Sequence, residues 1–311
     1  QNGFNQAYGA RATGGDDRGM YSLSVGYTGN KGVVKGMNSS NLTFRFNSDM
    51  NIAKNLTSVV DFAISSLNND AVNDGMLSRT SPTHLSYVKS PMFHPYQYSY
   101  LNKTLTNNLE TYDDLGINNP VAILSLAQQT SDMTYFTAAA KPKWNISDNF
   151  TLHAVASYTM NKMYEAYFTP RLGVAPVYDY LDDGTVATYT SEARSQNMRE
   201  ISTHLEMTAD YHNSFNGHNI NVLGGARYIQ GNKTWDKVGG YNTPDDTQPK
   251  VSASLVRKEM DGSQITLKNI AWFANANWDY MKKYFLTGTV TMETCSRFGT
   301  EIEKGALKLF G

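Results

Sequence analysis

The chain has 311 residues, of which 40% are hydrophobic and 18% are charged, with a net charge of −1 and one cysteine. This composition excludes a helical membrane protein, because no run of about 18 apolar residues is present, and the near-zero charge argues against a nucleic-acid partner. The single cysteine excludes an internal disulfide framework and argues against a structural zinc cluster.

Strict alternation of apolar and polar residues begins near the start of the chain. Residues 21–27 read YSLSVGY, with large apolar side chains at every second position and small or polar residues between them. This period of two predicts a β-strand whose two faces meet different surroundings. In a soluble sandwich the apolar face forms the core. In an outer-membrane barrel it faces lipid, and the polar face lines a wet lumen.

Further alternating segments follow in pairs that are joined by short turns. The predicted pairs are 5–14 with 20–28, 41–52 with 56–67, 132–146 with 150–168, 198–212 with 219–230, and 265–280 with 284–295. The long connections between pairs are 29–40, 68–131, 169–197 and 231–264. Short turns that alternate with long loops are typical of outer-membrane barrels. We predict an all-β, antiparallel up-and-down transmembrane β-barrel, of which this chain supplies about ten strands, with long outer loops and short periplasmic turns.

One helix is expected within the longest connection. Residues 118–129 read NNPVAILSLAQQ, in which Asn119 is a suitable N-cap and Pro120 suits the first helical position. We interpret this segment as a short helix in an outer loop.

Aromatic residues gather beside two of the short turns. They are Trp144, Phe150, Trp278, Tyr280, Tyr284 and Phe285. Such rings form an interface girdle in membrane barrels, but they also pack across hairpin strands in soluble proteins. Arg45 and Arg227 lie within predicted strands, which suits a wet lumen and suits the outer face of a sandwich equally well.

Residues 91–102 (PMFHPYQYSYLN) form the most suggestive functional segment. The candidate substrate-binding residues are Phe93, His94, Tyr96, Tyr98 and Tyr100. Aromatic rings stack on sugar faces and on peptide side chains, and tyrosine adds a hydrogen-bonding hydroxyl. The alternative is that these rings pack the loop against the barrel rim or against a partner protein.

No catalytic motif is present, and we predict no catalytic residue, no cofactor and no metal site. The sequence lacks the nucleophile elbow, the His-Glu-x-x-His motif and the P-loop. We interpret His84, His204 and His212 as surface or lumen residues rather than metal ligands. We interpret the acidic stretches 70–76 and 243–248 as solvated turns rather than calcium loops.

Specific residues resemble the SusC/RagA class of TonB-dependent transporters. In the first half of the chain they are Gly14, Gly15, Tyr21, Ser24, Tyr27, Gly32, Arg45 and Asn47, and near the end they are Ser296, Arg297, Phe298 and Gly299. The segment INNPVAIL before a strand also fits. The chain departs from the class at 291–295 (TMETC), where relatives often carry Arg-x-Asp-Gly-Ser.

The resemblance implies a barrel of about 22 strands that holds a plug. We therefore expect residues 1–311 to be a partial barrel domain of a longer protein, without its plug and closing strands. The implied function is TonB-dependent uptake of oligosaccharides or peptides, without enzymatic activity, in the outer membrane of a Gram-negative bacterium of the Bacteroidetes type. The implied partners are a SusD-like surface lipoprotein, TonB through the absent N-terminal region, and the lipid bilayer.

Two other functions stay open from the residues alone. The first is a soluble β-rich module for carbohydrate binding or adhesion, in which Leu42, Phe44 and Phe46 would form a dry core. The second is a secreted β-sandwich hydrolase, which is disfavoured because no carboxylate pair stands out at a strand end.

Overall fold

Ten long antiparallel strands dominate the computed structural model, which describes residues 2–73 and 79–297 and the backbone of 309–310. They are β1 (Phe4–Asp16), β2 (Gly19–Lys31), β3 (Asn38–Ala53), β4 (Leu56–Ala71), β7 (Gln128–Ser147), β8 (Phe150–Thr169), β11 (Glu192–Phe215), β12 (His218–Tyr241), β13 (Val256–Tyr280) and β14 (Tyr284–Cys295). The shorter elements are α1 (Pro82–Val88), β5 (Tyr96–Ser99), β6 (Thr104–Leu109), α2 (Pro120–Leu126), β9 (Val177–Tyr180), β10 (Val186–Tyr189) and β15 (Leu309–Phe310).

The long strands follow one another in a single up-and-down sheet. Each long strand pairs with the next long strand along the chain, and β15 lies beside β14. The hairpins β5–β6 and β9–β10 form two separate two-stranded sheets within the connections. The predicted fold class and all ten predicted strands are therefore confirmed.

Several strands extend beyond the predicted bounds, and this shortens the loops. β11 begins at Glu192 rather than 198, and β13 begins at Val256 rather than 265. Their extensions pair with the far end of β12, which continues to Tyr241. The alternation of apolar and polar residues is weaker in these extensions. The sequence therefore predicted strands that are shorter than the hydrogen-bonded strands of the structure.

All short turns lie at one end of the sheet and all long connections at the other. The short turns occupy 17–18, 54–55, 148–149, 216–217 and 281–283. Between β11 and β12, Asn216 and Gly217 have φ values of 47° and 78°, the left-handed conformation that tight hairpins require. The alternation of short turns and long loops that the sequence predicts is thus confirmed.

The sheet has an apolar face and a polar face, as strict alternation requires. On the apolar face, the rings of Phe44, Phe62, Phe136 and Tyr158 contact one another edge-on, with neighbouring centroids 5.3–6.1 Å apart. Leu42 on the same face is 54% exposed rather than buried in a dry core.

Polar and charged residues on the polar face contact one another within and across the strands. Lys141 Nζ lies 2.8 Å from Asp61 Oδ2, and His204 Nε2 lies 3.3 Å from Glu206 Oε2. Arg227 belongs to this face, and its guanidinium lies 4.0 Å from Glu293 Oε1. The polar face therefore carries charges of both signs.

The aromatic residues beside the last short turns contact one another across strands. The His218 ring lies 4.6 Å from the Tyr280 ring, and Trp278 Nε1 donates a hydrogen bond of 3.1 Å to His218 Nδ1. These residues lie on the apolar face, whereas Phe285, opposite Asp279, lies on the polar face. An interface position stays a prediction for the rings on the apolar face.

Two small buried clusters lie at the end that carries the long loops. One contains Leu85, Ile123 and Val174, and the other contains Phe168, Ala193 and Leu255. The predicted helix is confirmed as α2, with Asn119 as its N-cap. Neither helix in the described ranges has the length and apolar character to cross a membrane. Residues 298 and 299 of the family motif, and residues 74–76, lie outside the described residues.

Candidate functional site

The long connections build a small folded unit, here called the outer platform. It consists of α1, the hairpin β5–β6, α2 and residues 170–175. Leu85 of α1, Ile123 of α2 and Val174 pack together at its centre, and each is at most 6% exposed. Gly173 has a φ of 81°, and a Cβ added there would lie 2.3 Å from the Cβ of Ala122. The close approach of this segment to α2 therefore requires glycine.

The five predicted binding residues lie on or beside the hairpin β5–β6, and all are exposed. Tyr96 and Tyr98 both belong to β5, where they lie opposite Leu109 and Leu105 of β6, with a register shift between the two pairs. The rings of Tyr98 and Tyr100 meet edge-on with centroids 5.1 Å apart. Tyr100 is 87% exposed, so these rings are free to meet a ligand rather than buried against the rim. Whether they contact cargo stays a prediction.

A buried ion pair holds the segment before this hairpin. Lys89 Nζ lies 3.2 Å from Asp113 Oδ2, and the two side chains are 9% and 2% exposed. The same ammonium group lies over the Phe93 ring, 5.7 Å from its centroid. Burial acts to raise the pKa of Asp113, but hydrogen bonds from the Ile117 amide and from Lys89 outweigh it and hold this pKa below its usual range. Asp113 is thus charged at neutral pH.

A second candidate site is a cavity of about 200 Å³ at the outer ends of β7, β8, β11 and β12. Polar side chains dominate its lining, and most of them belong to the polar face. These polar-face residues are Gln129, Ser131, Glu165, Tyr167, Arg194, Gln196 and Lys237. None of the five predicted binding residues lines this cavity.

The cavity wall presents two charges of opposite sign in one row across the strands. In one row Glu165 lies opposite Gln196, and Gln196 lies opposite Lys237. Because neighbouring strands are about 4.8 Å apart, Glu165 and Lys237 are separated by roughly 10 Å. Neither side chain makes a hydrogen bond or a close ion pair with another described residue, and the ammonium group of Lys237 acts on the carboxylate of Glu192 only at longer range. Both are thus available to a ligand.

The next row along the strands contains Arg194, which is already engaged. Its guanidinium pairs with Glu192, donates to Tyr241 Oη at 3.2 Å, and lies 3.8 Å from Glu259. The guanidinium of Arg194 is therefore already balanced by carboxylates at the edge of the cavity, whereas Glu165 and Lys237 make no close ion pair.

Sequence reasoning missed the cavity residues. Their only signal was polar character at alternate positions near the outer ends of long strands, and this signal does not reveal which strands are neighbours. Residues 165, 196 and 237 meet because β8, β11 and β12 are consecutive in the sheet. The register had to be known before this row could be identified.

The other sequence candidates do not come together as a site. Within the described ranges, no group of three or more metal-ligating side chains is close enough to hold a metal ion. His204 pairs with Glu206, while His84 lies in α1. Asp245 accepts hydrogen bonds from Thr247, as expected for a solvated turn.

Comparison with known proteins identifies the fold. No family model and no curated protein matches the sequence. The RagAB peptide importer in its "open-open" state matches with a TM-score of 0.68 and 18% identity, over 95% of this chain and 32% of that chain. The ferric citrate transporter FecA matches with a TM-score of 0.57 and 9% identity, over 95% of this chain and 35% of that one.

A further solved structure is the ferric-catecholate import receptor Fiu from E. coli K12 in its open form. It matches with a TM-score of 0.50 and 12% identity, over 94% of this chain and 43% of that receptor. The chain therefore spans about a third of the length of the first matching structures. It has the fold of part of the barrels in these structures, and the expected structural likeness to the RagA barrel is confirmed.

Proposed function

We propose that the chain forms part of the wall and mouth of an outer-membrane, TonB-dependent importer of peptides. The fold supports this proposal, because the structures that share it are importers and import receptors. The observation that carries it is the cavity wall, in which Glu165 and Lys237 present charges of opposite sign on the polar face at the long-loop end.

The charge pattern favours peptides over neutral oligosaccharides. A peptide carries an ammonium group, a carboxylate and charged side chains that can pair with Glu165 and Lys237. A neutral sugar would leave both groups without a charged partner, at a cost in desolvation. The solved RagAB protein is named as a peptide importer, which agrees with this reading. The exposed rings of the β5–β6 hairpin would add apolar and stacking contacts to a passing peptide.

The remaining parts of the proposal come from the family resemblance. The apolar face would meet the lipid of the outer membrane in a Gram-negative bacterium of the Bacteroidetes type. A SusD-like surface lipoprotein would cover the long-loop end, and TonB would supply energy through a plug region. The protein would bind and release cargo without forming or breaking covalent bonds.

The test uses the full-length protein, purified in detergent and incubated with two probes. The probes are a tryptic digest of casein and a mixture of maltooligosaccharides, and the retained molecules are eluted and quantified by mass spectrometry. We expect retention of peptides, and we expect Lys237→Gln to weaken it roughly tenfold through loss of a charge-assisted hydrogen bond.

Lys162→Gln is the matched control, because Lys162 lies on β8 but on the apolar face, three residues from Glu165. This variant should retain peptides like the unmodified protein. Retention of maltooligosaccharides without peptides would contradict the peptide assignment. A full-length protein that stays dispersed and folded without detergent would contradict the membrane function and favour the soluble binding module.

A further inference from the structure

One side chain joins the aromatic hairpin to the rest of the outer platform. Asn119 is completely buried, and every polar group of its side chain has a partner. Its Oδ1 accepts hydrogen bonds from the backbone amides of Val121 and Ala122, at 3.0 and 3.4 Å, and so caps α2. Its Nδ2 donates to the carbonyl oxygens of Pro95 and Glu110, at 2.9 and 2.8 Å.

The two carbonyl acceptors flank the hairpin on both sides. Pro95 immediately precedes β5, and Glu110 immediately follows β6. The backbone amide of Glu110 also donates to Pro95 O at 2.9 Å, which closes the base of the hairpin. One amide group therefore holds both legs of the hairpin against the start of α2.

We infer that Asn119 is a positioning residue for the hairpin that carries Tyr96, Tyr98 and Tyr100. Its hydrogen bonds fix where the exposed rings stand, although Asn119 itself is inaccessible to any ligand. Preorganised rings lose less conformational freedom on binding, so the clamp would strengthen binding without touching cargo. The effect on cargo rests on the proposed function, whereas the mechanical clamp does not.

The choice of residue follows from the chemistry of the four contacts. Capping α2 requires only an acceptor, which Asp, Ser and Thr would also supply. Holding the hairpin requires two donors on the same side chain, aimed at two carbonyl oxygens, and only the amide provides both functions. Aspartate would instead place a carboxylate oxygen against the oxygens of Pro95 and Glu110.

The neighbouring Asn118 provides a matched comparison. It is 2% exposed, donates to Arg79 O at 2.6 Å, and accepts from the Ala175 amide at 2.7 Å. Asn118 thus ties the segment before α1 to residues 170–175 and makes no bond to the hairpin. The side chains of Asn118 and Asn119 are thus buried to a similar degree, but they form hydrogen bonds with different segments.

Hydrogen exchange on the full-length protein in detergent tests the clamp. In Asn119→Asp, the amides of 96–109 should exchange about tenfold faster or more, whereas those of α2 should keep their protection because its N-cap is retained. In Asn118→Asp, the hairpin should exchange as in the unmodified protein. Unchanged exchange of the hairpin in Asn119→Asp overturns the inference.

A second variant separates the clamp from general unfolding. Asn119→Ser keeps a capping oxygen and introduces no charge, and it should loosen the hairpin alone. Loss of protection throughout α1, α2 and the hairpin in both variants would show a merely structural role and would overturn the inference.

The effect of Asn119 on peptide binding is tested with the casein digest in a double-mutant cycle with Tyr98→Ala. If Asn119 acts through the hairpin rings, Asn119→Asp should weaken peptide retention in the unmodified background and add little in the Tyr98→Ala background. Equal, additive losses in the two backgrounds overturn the positioning role. If the hairpin is loosened but peptide retention is unchanged, Asn119 holds the hairpin and the rings do not bind cargo. This outcome does not bear on the charged cavity, which the Lys237→Gln variant tests separately.

Discussion

The large sheet and the outer platform are stabilised in opposite ways. Among the described residues, eight of the nine buried hydrophobic side chains lie in or near the long-loop end, and only Ala271 lies in the body of the sheet. The apolar face of the sheet is open, as Met207 at 58% and Trp272 at 57% exposure show. The platform instead buries Asn118, Asn119 and Ser81 almost completely, and Asn118 and Asn119 have all their side-chain polar groups hydrogen-bonded.

The two regions therefore differ in how strongly their stability depends on the identity of single side chains. In the sheet, stability depends on the backbone ladder and on the medium that each face meets, so many side chains of similar polarity are interchangeable. In the platform, each buried amide or carboxylate has particular partners, so a change of one atom leaves an unsatisfied group. Substitution of a buried polar side chain should therefore destabilise the platform more than the sheet. In the sheet, an introduced charge should lower stability only when it lies on the apolar face.

Removal of the cation should destabilise the buried ion pair Lys89–Asp113 far more than the exposed ion pair Lys141–Asp61. Lys89→Met leaves the buried carboxylate of Asp113 without its cation and should cost about 3–5 kcal/mol of platform stability. Lys141→Met removes the partner of Asp61 in the sheet, where the two side chains are 49% and 33% exposed, and should cost at most about 1 kcal/mol. Hydrogen exchange at α1, α2 and β7 measures both opening free energies. Equal costs would refute the contrast between the regions.

An arginine introduced into β8 should lower stability on the apolar face more than on the polar face. Ala156 lies on the apolar face of β8, opposite Leu205, and Ser157 lies on the polar face, opposite His204. Ala156→Arg should cost about 2–4 kcal/mol in a bilayer, because it places a charge among lipid tails. Ser157→Arg should change stability by less than about 1 kcal/mol. The free energy of unfolding is measured by urea titration of the full-length protein refolded into lipid vesicles. A larger loss of stability for Ser157→Arg than for Ala156→Arg would contradict the assignment of the apolar face to lipid.

The smallest effect appears only in acid. The pKa of Asp113 is lower in the folded chain than in the unfolded chain, so its contribution to stability is present above the unfolded pKa and is lost as pH falls through the folded pKa. The platform should therefore open progressively below about pH 4. Pepsin cleavage within 82–126, divided at each pH by the cleavage of an unstructured peptide of the same segment, measures this opening.

Asp113→Asn provides the control for the acid transition. The amide does not titrate, so cleavage of this variant should not rise further as pH falls through the same range. Persistence of the full acid step in Asp113→Asn would assign the transition to other carboxylates, such as Asp183 or Asp245, whose pKa values are lowered by hydrogen bonds from Thr185 and Thr247.

Much of the sheet could be predicted from single segments. The alternation in 21–27 and the polar turns between strand pairs depend on neighbours in sequence. This is why all ten strands were predicted, with short turns at one end of the sheet and long loops at the other, although several strand bounds were too short. The cap at Asn119 was recognisable for the same reason, since a capping residue and Pro120 act within one helical turn. The helix α1 was missed, although Ser81 before Pro82 gives a similar local signal.

The cavity could not be predicted in this way. Its charged row depends on the register of three strands, and a shift of one residue in any of them would move Glu165, Gln196 or Lys237 to the other face. The clamp is equally non-local, because Asn119 reaches back 24 residues to Pro95.

The strands, the turns, the two faces and the capped helix can be read from the residues alone, because period-two alternation and turn chemistry act over a few adjacent residues. The charges that share a cavity wall, the asparagine that holds the aromatic hairpin and the lysine that is buried became known only from the folded chain. These properties depend on contacts between residues tens of positions apart, and the order and register of the strands bring those residues together.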